Sequence, residues 1–259
     1  MDSVVIGRRF CGPPNSGNGG YVCGLLARRL GPSAEIARAK ITSAEITLLR
    51  PPPLDTQLSV VAGGSGVELR RGETVLATGR AIETVGIPAS AVPVASYDEA
   101  VRAAGRTPYD EDTHALPGCF VCGPARAEGD GLRIFAGPLS SVGDDWPDAF
   151  AAPWIPDASL LGEDGRVAEE FVWAALDCPG GYAVIPLVGG VPVLLGRLAA
   201  TVRACPKPGE RCVLTAWPIG RDGRKLHAGS ALLAESGEVI ALARATWIAV
   251  ERAVQLGEA

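Results

Sequence analysis

Residues 44–62 read AEITLLRPPPLDTQLSVVA, and residues 198–216 read LAATVRACPKPGERCVLTA. Each is a β-rich run, a proline-containing turn and a second β-rich run, ending at Ala62 or Ala216. Further on, LATGRAI at 76–82 is echoed by ALARATW at 241–247, with Arg80 and Arg244 aligned by a shift of one residue. Both echoes close regions of strand-like composition broken by turn glycines, Gly72 in one and Gly237 in the other. A weak self-similarity of this kind points to a duplicated unit, with several β-branched and apolar strands in each copy.

Each copy also carries one candidate helix ahead of its strands. The first is GGYVCGLLARRL at 19–30, preceded by the turn-rich GPPNSGN and stopped by Gly31-Pro32. The second is VAEEFVWAALD at 167–177, stopped by Pro179-Gly180-Gly181. Both are apolar nearly all round, as a helix enclosed by a sheet must be. One helix followed by antiparallel strands, twice over, is an α+β pattern. The organisation expected is a first unit over 1–87, a proline-containing linker over 88–116 with one short helix near Tyr97–Gly105, and a second unit over 117–259.

The 259 residues are ample for two such units. A hydrophobic share of 47% against 20% charged allows a large core and argues against global disorder. The net charge of −5 disfavours nucleic acid or an anionic membrane surface as the main partner. The most apolar window, Ala183 to Val202, contains Pro186, Pro192 and Arg197; it reads as core strands and a turn, with no membrane span expected. The opening MDSVVIGRRF has no signal-peptide core, and seven cysteines without a secretion signal fit a reducing cytoplasm.

The segment CFVCGPARAEGDGLRIFAG at 119–137 resembles the start of the PaaI-like branch of hotdog-fold thioesterases, where Cys-x-x-Cys-Gly precedes Gly-Leu and a first strand. GRVAEEFVWAALD at 165–177 is similar to that branch's helix, which opens with His-Gly-Gly and reaches an acid nine positions after the His. Here Ala168, Glu169 and Glu170 occupy the His-Gly-Gly positions, and Asp177 the acidic one. NGGYVCGLLA at 18–27 matches the same opening through Asn18, Gly19 and Gly20, but Ala27 stands where the acid would be. The resemblance implies a double hotdog of two units, each a central helix wrapped by a curled antiparallel sheet. Because one family site takes its helix start and its carboxylate from neighbouring units, the two losses are complementary and leave one composite site.

The implied function is hydrolysis of an acyl-CoA or acyl-carrier-protein thioester, without cofactor, and further homodimerisation is a habit of the family. Physical chemistry agrees with these roles. Thioester hydrolysis develops negative charge on the carbonyl oxygen, and a helix N-terminus offers unpaired N–H groups and a positive partial charge. Gly19 and Gly20 would supply or flank such a donor. Asn18 would orient ligand or water, and Asp177 would act as general base or attack directly to give an anhydride. Ser16, Tyr21, Glu169 and Glu170 complete the expected substrate-binding set.

Two other readings stay open on the residues alone: a hotdog hydratase or dehydratase, and a non-catalytic acyl-CoA-binding or structural protein. The first wants a His paired with an acid, and neither His114 nor His227 lies in such a motif. Cys119 and Cys122 have Cys-x-x-Cys spacing, but a closed zinc site needs four ligands and there is no second such pair, so no metal is expected. Arg80 and Arg244 read as structural or surface residues, and no phosphate-binding or Ser-His-Asp motif is present.

Overall fold

A computed structural model describes residues 2–30, 42–63, 66–140 and 148–250. The strands are β1 (Asp2–Val5), β2 (Thr42–Leu48), β3 (Gln57–Gly63), β4 (Gly66–Arg71), β5 (Thr74–Ala81), β6 (Gly137–Pro138), β7 (Phe150–Trp154), β8 (Val193–Val202), β9 (Cys212–Asp222), β10 (Lys225–Ala234) and β11 (Val239–Ala249). The α-helices are α1 (Gly19–Ala27), α2 (Tyr97–Ala104), α3 (Glu169–Ala175) and α4 (Cys178–Val184).

The α+β class holds, but the expectation of two hotdog units, each with its own curled sheet, is corrected. All eleven strands among the described residues form a single open sheet in the order β1-β3-β4-β5-β2-β8-β11-β10-β9-β7-β6, with antiparallel pairing throughout. The junction is β2 against β8, from Thr42 opposite Val202 to Thr47 opposite Arg197. In two separate sheets these strands would be edges with unpaired backbone groups; pairing them satisfies both rows. The actual edges are the four-residue β1 and the two-residue β6, short enough to offer little template for further pairing. Tight turns between consecutive strands use Gly72 and Gly237 at φ 57° and 85°, conformations a Cβ would oppose.

Helix α1 is buried along its whole length except at Gly19, and it lies against α3. Two glycines on one face make that approach close. A Cβ on Gly24 would stand 2.5 Å from Glu170 Cα, and one on Gly20 would stand 2.7 Å from the Trp173 carbonyl oxygen. The main core gathers Tyr21, Val22 and Leu26 of α1, Val172, Trp173 and Leu176 around α3, and sheet residues from both sides of the junction, among them Ile46 and Leu198. A smaller core seats α2 on β7 and β9 through Ala100, Ala103, Val213 and Trp217. Helix α2, expected near Tyr97–Gly105, starts with a capping box in which Ser96 and Glu99 each bond the other's backbone N–H.

The chain does not leave helix at Pro179, as Pro-Gly-Gly suggested. It turns at Asp177 (φ −74°, ψ −81°) and begins α4, with Pro179 in the first turn, where no N–H is needed. Gly180 and Gly181 lie against the Trp247 ring; a Cβ on either would come within 3.2 Å of it. Glu169–Val188 is the one described run whose length and mean hydropathy of 1.4 suit a membrane span, and 78% of its most apolar window is buried inside the fold.

Candidate functional site

The N-terminus of α1 points at the break between α3 and α4. Asn18 caps α1, its Oδ1 accepting from the Tyr21 N–H at 2.9 Å. Its Nδ2 then donates to Asp177 Oδ2 at 3.0 Å, and the Gly20 N–H donates to the same oxygen at 2.8 Å. An Asp at a helix C-terminus opposes that helix's dipole; here the carboxylate caps a different helix, α1, where its charge is favoured. Ser230 supports the arrangement from the sheet, its hydroxyl donating to the Leu176 carbonyl at 2.6 Å, one residue before Asp177.

Asp177 is 2% exposed, and its second oxygen, Oδ1, has no hydrogen-bond partner among the described residues. Burial, helped by the charge of Cys119, pushes its carboxyl up to about 7 against the lowering effect of the Gly20 and Asn18 donors. The carboxyl is thus poised where proton exchange with water is easy at neutral pH.

Asp177 lines a cavity of about 570 Å³. The cavity lies where β2, β8 and β11 end beside α1 and α4. Leu48, Leu195, Ile185 and Trp247 give it apolar walls, and Ser16, Asn18 and Gly19 border it at the start of α1. As the first residue of α1, Gly19 has an N–H with no intrahelical acceptor. His114 and Tyr182 also line the cavity. Burial lowers the pKa of His114 and raises that of Tyr182, whose hydroxyl is buried without a partner among the described residues.

The structure therefore brings Asn18, Gly19, Gly20, Ser16 and Asp177 to one place and leaves three expected residues elsewhere. Tyr21 turns into an aromatic cluster, stacked on Phe10 at 4.2 Å between ring centroids and beside Phe120 and Phe171. Glu170 is buried against Arg28, whose Nη1 lies 2.8 and 2.7 Å from its two oxygens. Glu169 accepts from Trp173 Nε1 at 3.2 Å. Gly20, expected at the oxyanion position, has its N–H engaged by Asp177.

Sequence reading missed one component of the wall. Cys178 joins Cys119 and Cys122 so that the three sulfurs lie within 4.8 Å of one another. It stands directly after Asp177 in sequence, and the run CPGG read as a helix stop concealed it.

No family model matches the chain, and no curated protein matches it either. Solved structures do. A provisionally named thioesterase from Novosphingobium aromaticivorans superposes with a TM-score of 0.59 at 12% identity, over 96% of this chain and 95% of its own. The tesB protein of Mycobacterium avium subspecies paratuberculosis gives 0.53 at 13% identity, over 91% and 88%. A provisionally named oleoyl thioesterase from Lactobacillus plantarum gives 0.53 at 10% identity, over 96% of each. At these identities the likeness is one of fold, shared over nearly the whole chain.

Proposed function

We propose that the protein hydrolyses acyl thioesters, of CoA or of a carrier protein, at Asp177. The observation that carries this reading is the Asp177 carboxyl itself. One oxygen is fixed by Gly20 and Asn18, and the other is unpartnered in the wall of a largely apolar cavity. An acyl chain and the thioester carbonyl suit such a space, since ligand cavities combine apolar walls with a few placed polar groups.

In this mechanism the thioester carbonyl faces the start of α1, where the Gly19 N–H and the helix dipole stabilise the developing oxyanion. Asp177 Oδ1 takes a proton from a water molecule as that water adds to the carbonyl carbon. Collapse of the tetrahedral intermediate expels the thiolate, which gains the proton from Asp177. The Gly20 and Asn18 donors hold the carboxyl in one orientation throughout.

The test is free-thiol release from short, medium, long and aromatic acyl-CoAs, and from an acyl-carrier protein, by the wild type and by Asp177→Asn. Cleavage by the wild type that falls by about 100-fold or more in the variant supports the reading, that being the usual worth of a positioned general base. Stable binding of intact acyl-CoA with no cleavage by the wild type would replace it with a binding function.

A further inference from the structure

Cys119, Cys122 and Cys178 differ from the other buried thiols. Cys23 and Cys212 pack singly in the core as small apolar groups. The three others converge sulfur to sulfur, all buried and all at the cavity wall. The Cys119 and Cys178 sulfurs are 3.8 Å apart. Zinc–sulfur bonds of about 2.3 Å in a tetrahedron place sulfurs about 3.8 Å apart, so this pair already has the spacing of two ligands.

The backbone around the cluster fixes Cys119 in place: its N–H donates to the Leu116 carbonyl at 3.0 Å, and its own carbonyl accepts from the Gly123 N–H at 2.9 Å. The Asn18 side-chain amide lies 3.8 Å from the Cys119 sulfur. Gly123 closes the turn; a Cβ there would stand 2.5 Å from the backbone N and O of Cys119. Two buried polar atoms without partners among the described residues, Asp177 Oδ1 and Tyr182 Oη, lie in the same cavity wall.

From this geometry we infer that Cys119, Cys122 and Cys178 bind a thiophilic divalent metal ion of the zinc class, with its fourth position open to the cavity and filled by water. Three thiolates with one open vertex differ from the closed four-ligand structural site that the sequence lacks. Soft sulfur ligands select such a cation over magnesium or calcium. Binding displaces the thiol protons that the cluster otherwise shares among its sulfurs. The inference is independent of the hydrolase reading, because a protein that only binds thioesters would hold the ion equally well.

The test uses the full chain, reduced and stripped with a chelator, then titrated with cobalt(II) and afterwards with zinc(II). The expected result is one equivalent of cobalt with thiolate-to-metal charge-transfer absorption, displaced by zinc. Zinc should also slow alkylation at Cys119, Cys122 and Cys178, mapped by mass spectrometry, and leave Cys11 and Cys205 unchanged. Cys122→Ser should weaken uptake by about tenfold or more, and Cys205→Ser should leave it as in the wild type. If Cys122→Ser folds poorly, the wild-type alkylation map decides. Absence of stoichiometric uptake, uptake without protection of these cysteines, or oxidation of two of the three thiols to a disulfide in a protein that takes no metal when reduced would each overturn the inference.

Discussion

A methyl group placed on Gly20 would stand 2.5 Å from the Cβ of Asp177. The other neighbours at that point are the Trp173 carbonyl oxygen and the Ala174 Cα, both backbone atoms that cannot rotate away. Gly20→Ala gains about 1 kcal/mol of helix propensity, whereas overpacking of a close helix contact costs about 1–3 kcal/mol. The steric term wins, and it also pushes the N–H donor off the carboxylate. Thermal melts should show net destabilisation, and thiol release should fall further than the lost folded fraction explains.

Gly19→Ala is the contrasting substitution. Its Cβ would meet side-chain carbons of Leu195 and Leu48, which can shift. The variant should keep a melting temperature close to that of the wild type while narrowing the cavity mouth. In the acyl-CoA panel its loss should be largest for the bulkiest acyl groups and appear mainly in KM. Uniform loss across the panel would argue that Gly19 does not face the acyl chain.

The pH dependence follows from the raised carboxyl of Asp177. As a general base it works only when ionised, so kcat/KM should rise with pH through about 7 and then level off. A flat profile from pH 5 to 9 under saturating folding conditions would remove Asp177 from that role.

The same shift has a stability counterpart. The Asp177 carboxyl is pushed up to about 7 in the folded protein, above the ordinary carboxylate range, so the folded state resists losing the proton. This contribution to stability is fully present below about pH 4 and is lost as the pH rises through about 7. Asp177→Asn, which cannot ionise, should therefore be more stable than the wild type at pH 8, by up to a few kcal/mol given about 1.4 kcal/mol per pKa unit. The difference should shrink toward acid pH. Chemical denaturation at pH 4.5 and pH 8 measures both ends.

Arg28 and Glu170 offer a separate check on the contact between α1 and α3. Arg28 is half exposed and Glu170 largely buried. Arg28→Met should cost about 1–3 kcal/mol, chiefly because it strands a buried acid, with solvent screening at Arg28 favouring the lower end. Adding Glu170→Gln should restore part of that loss. A double-mutant cycle that comes out additive would mean that the pair contributes packing alone.

The parts of this site that lie at fixed offsets within one segment were legible in the sequence. Asn18, Gly19 and Gly20 announce a helix start by residue type, and Asp177 is singled out by the resemblance of residues 165–177 to the thioesterase helix, nine positions after Ala168. What remained hidden depends on orientation and long-range register. Tyr21 is only two residues beyond Gly19, yet about 200° further round the helix, and so faces the aromatic cluster. Local pattern leaves undetermined that β2 would choose β8 as its neighbour and so merge the strands into one open sheet. Cys178 was missed for a different reason: proline and glycine were taken as breakers, whereas Pro179 opens a helix and the glycines admit the Trp247 ring.

The hydrogen bond from Gly20 to Asp177 spans 157 residues of chain. At a synthesis rate of about 5–20 residues per second, the ribosome needs roughly 8–30 s to pass from one to the other. For most of that interval α1, apolar on nearly every side, has been made while α3 has not, and β8 follows later still. The nascent chain must therefore carry a greasy, unpartnered helix until its second half emerges. Aggregation during translation, more than instability of the finished fold, is the hazard this architecture creates, and slowing elongation or withholding chaperones should lower soluble yield before it changes any property of the protein that does fold.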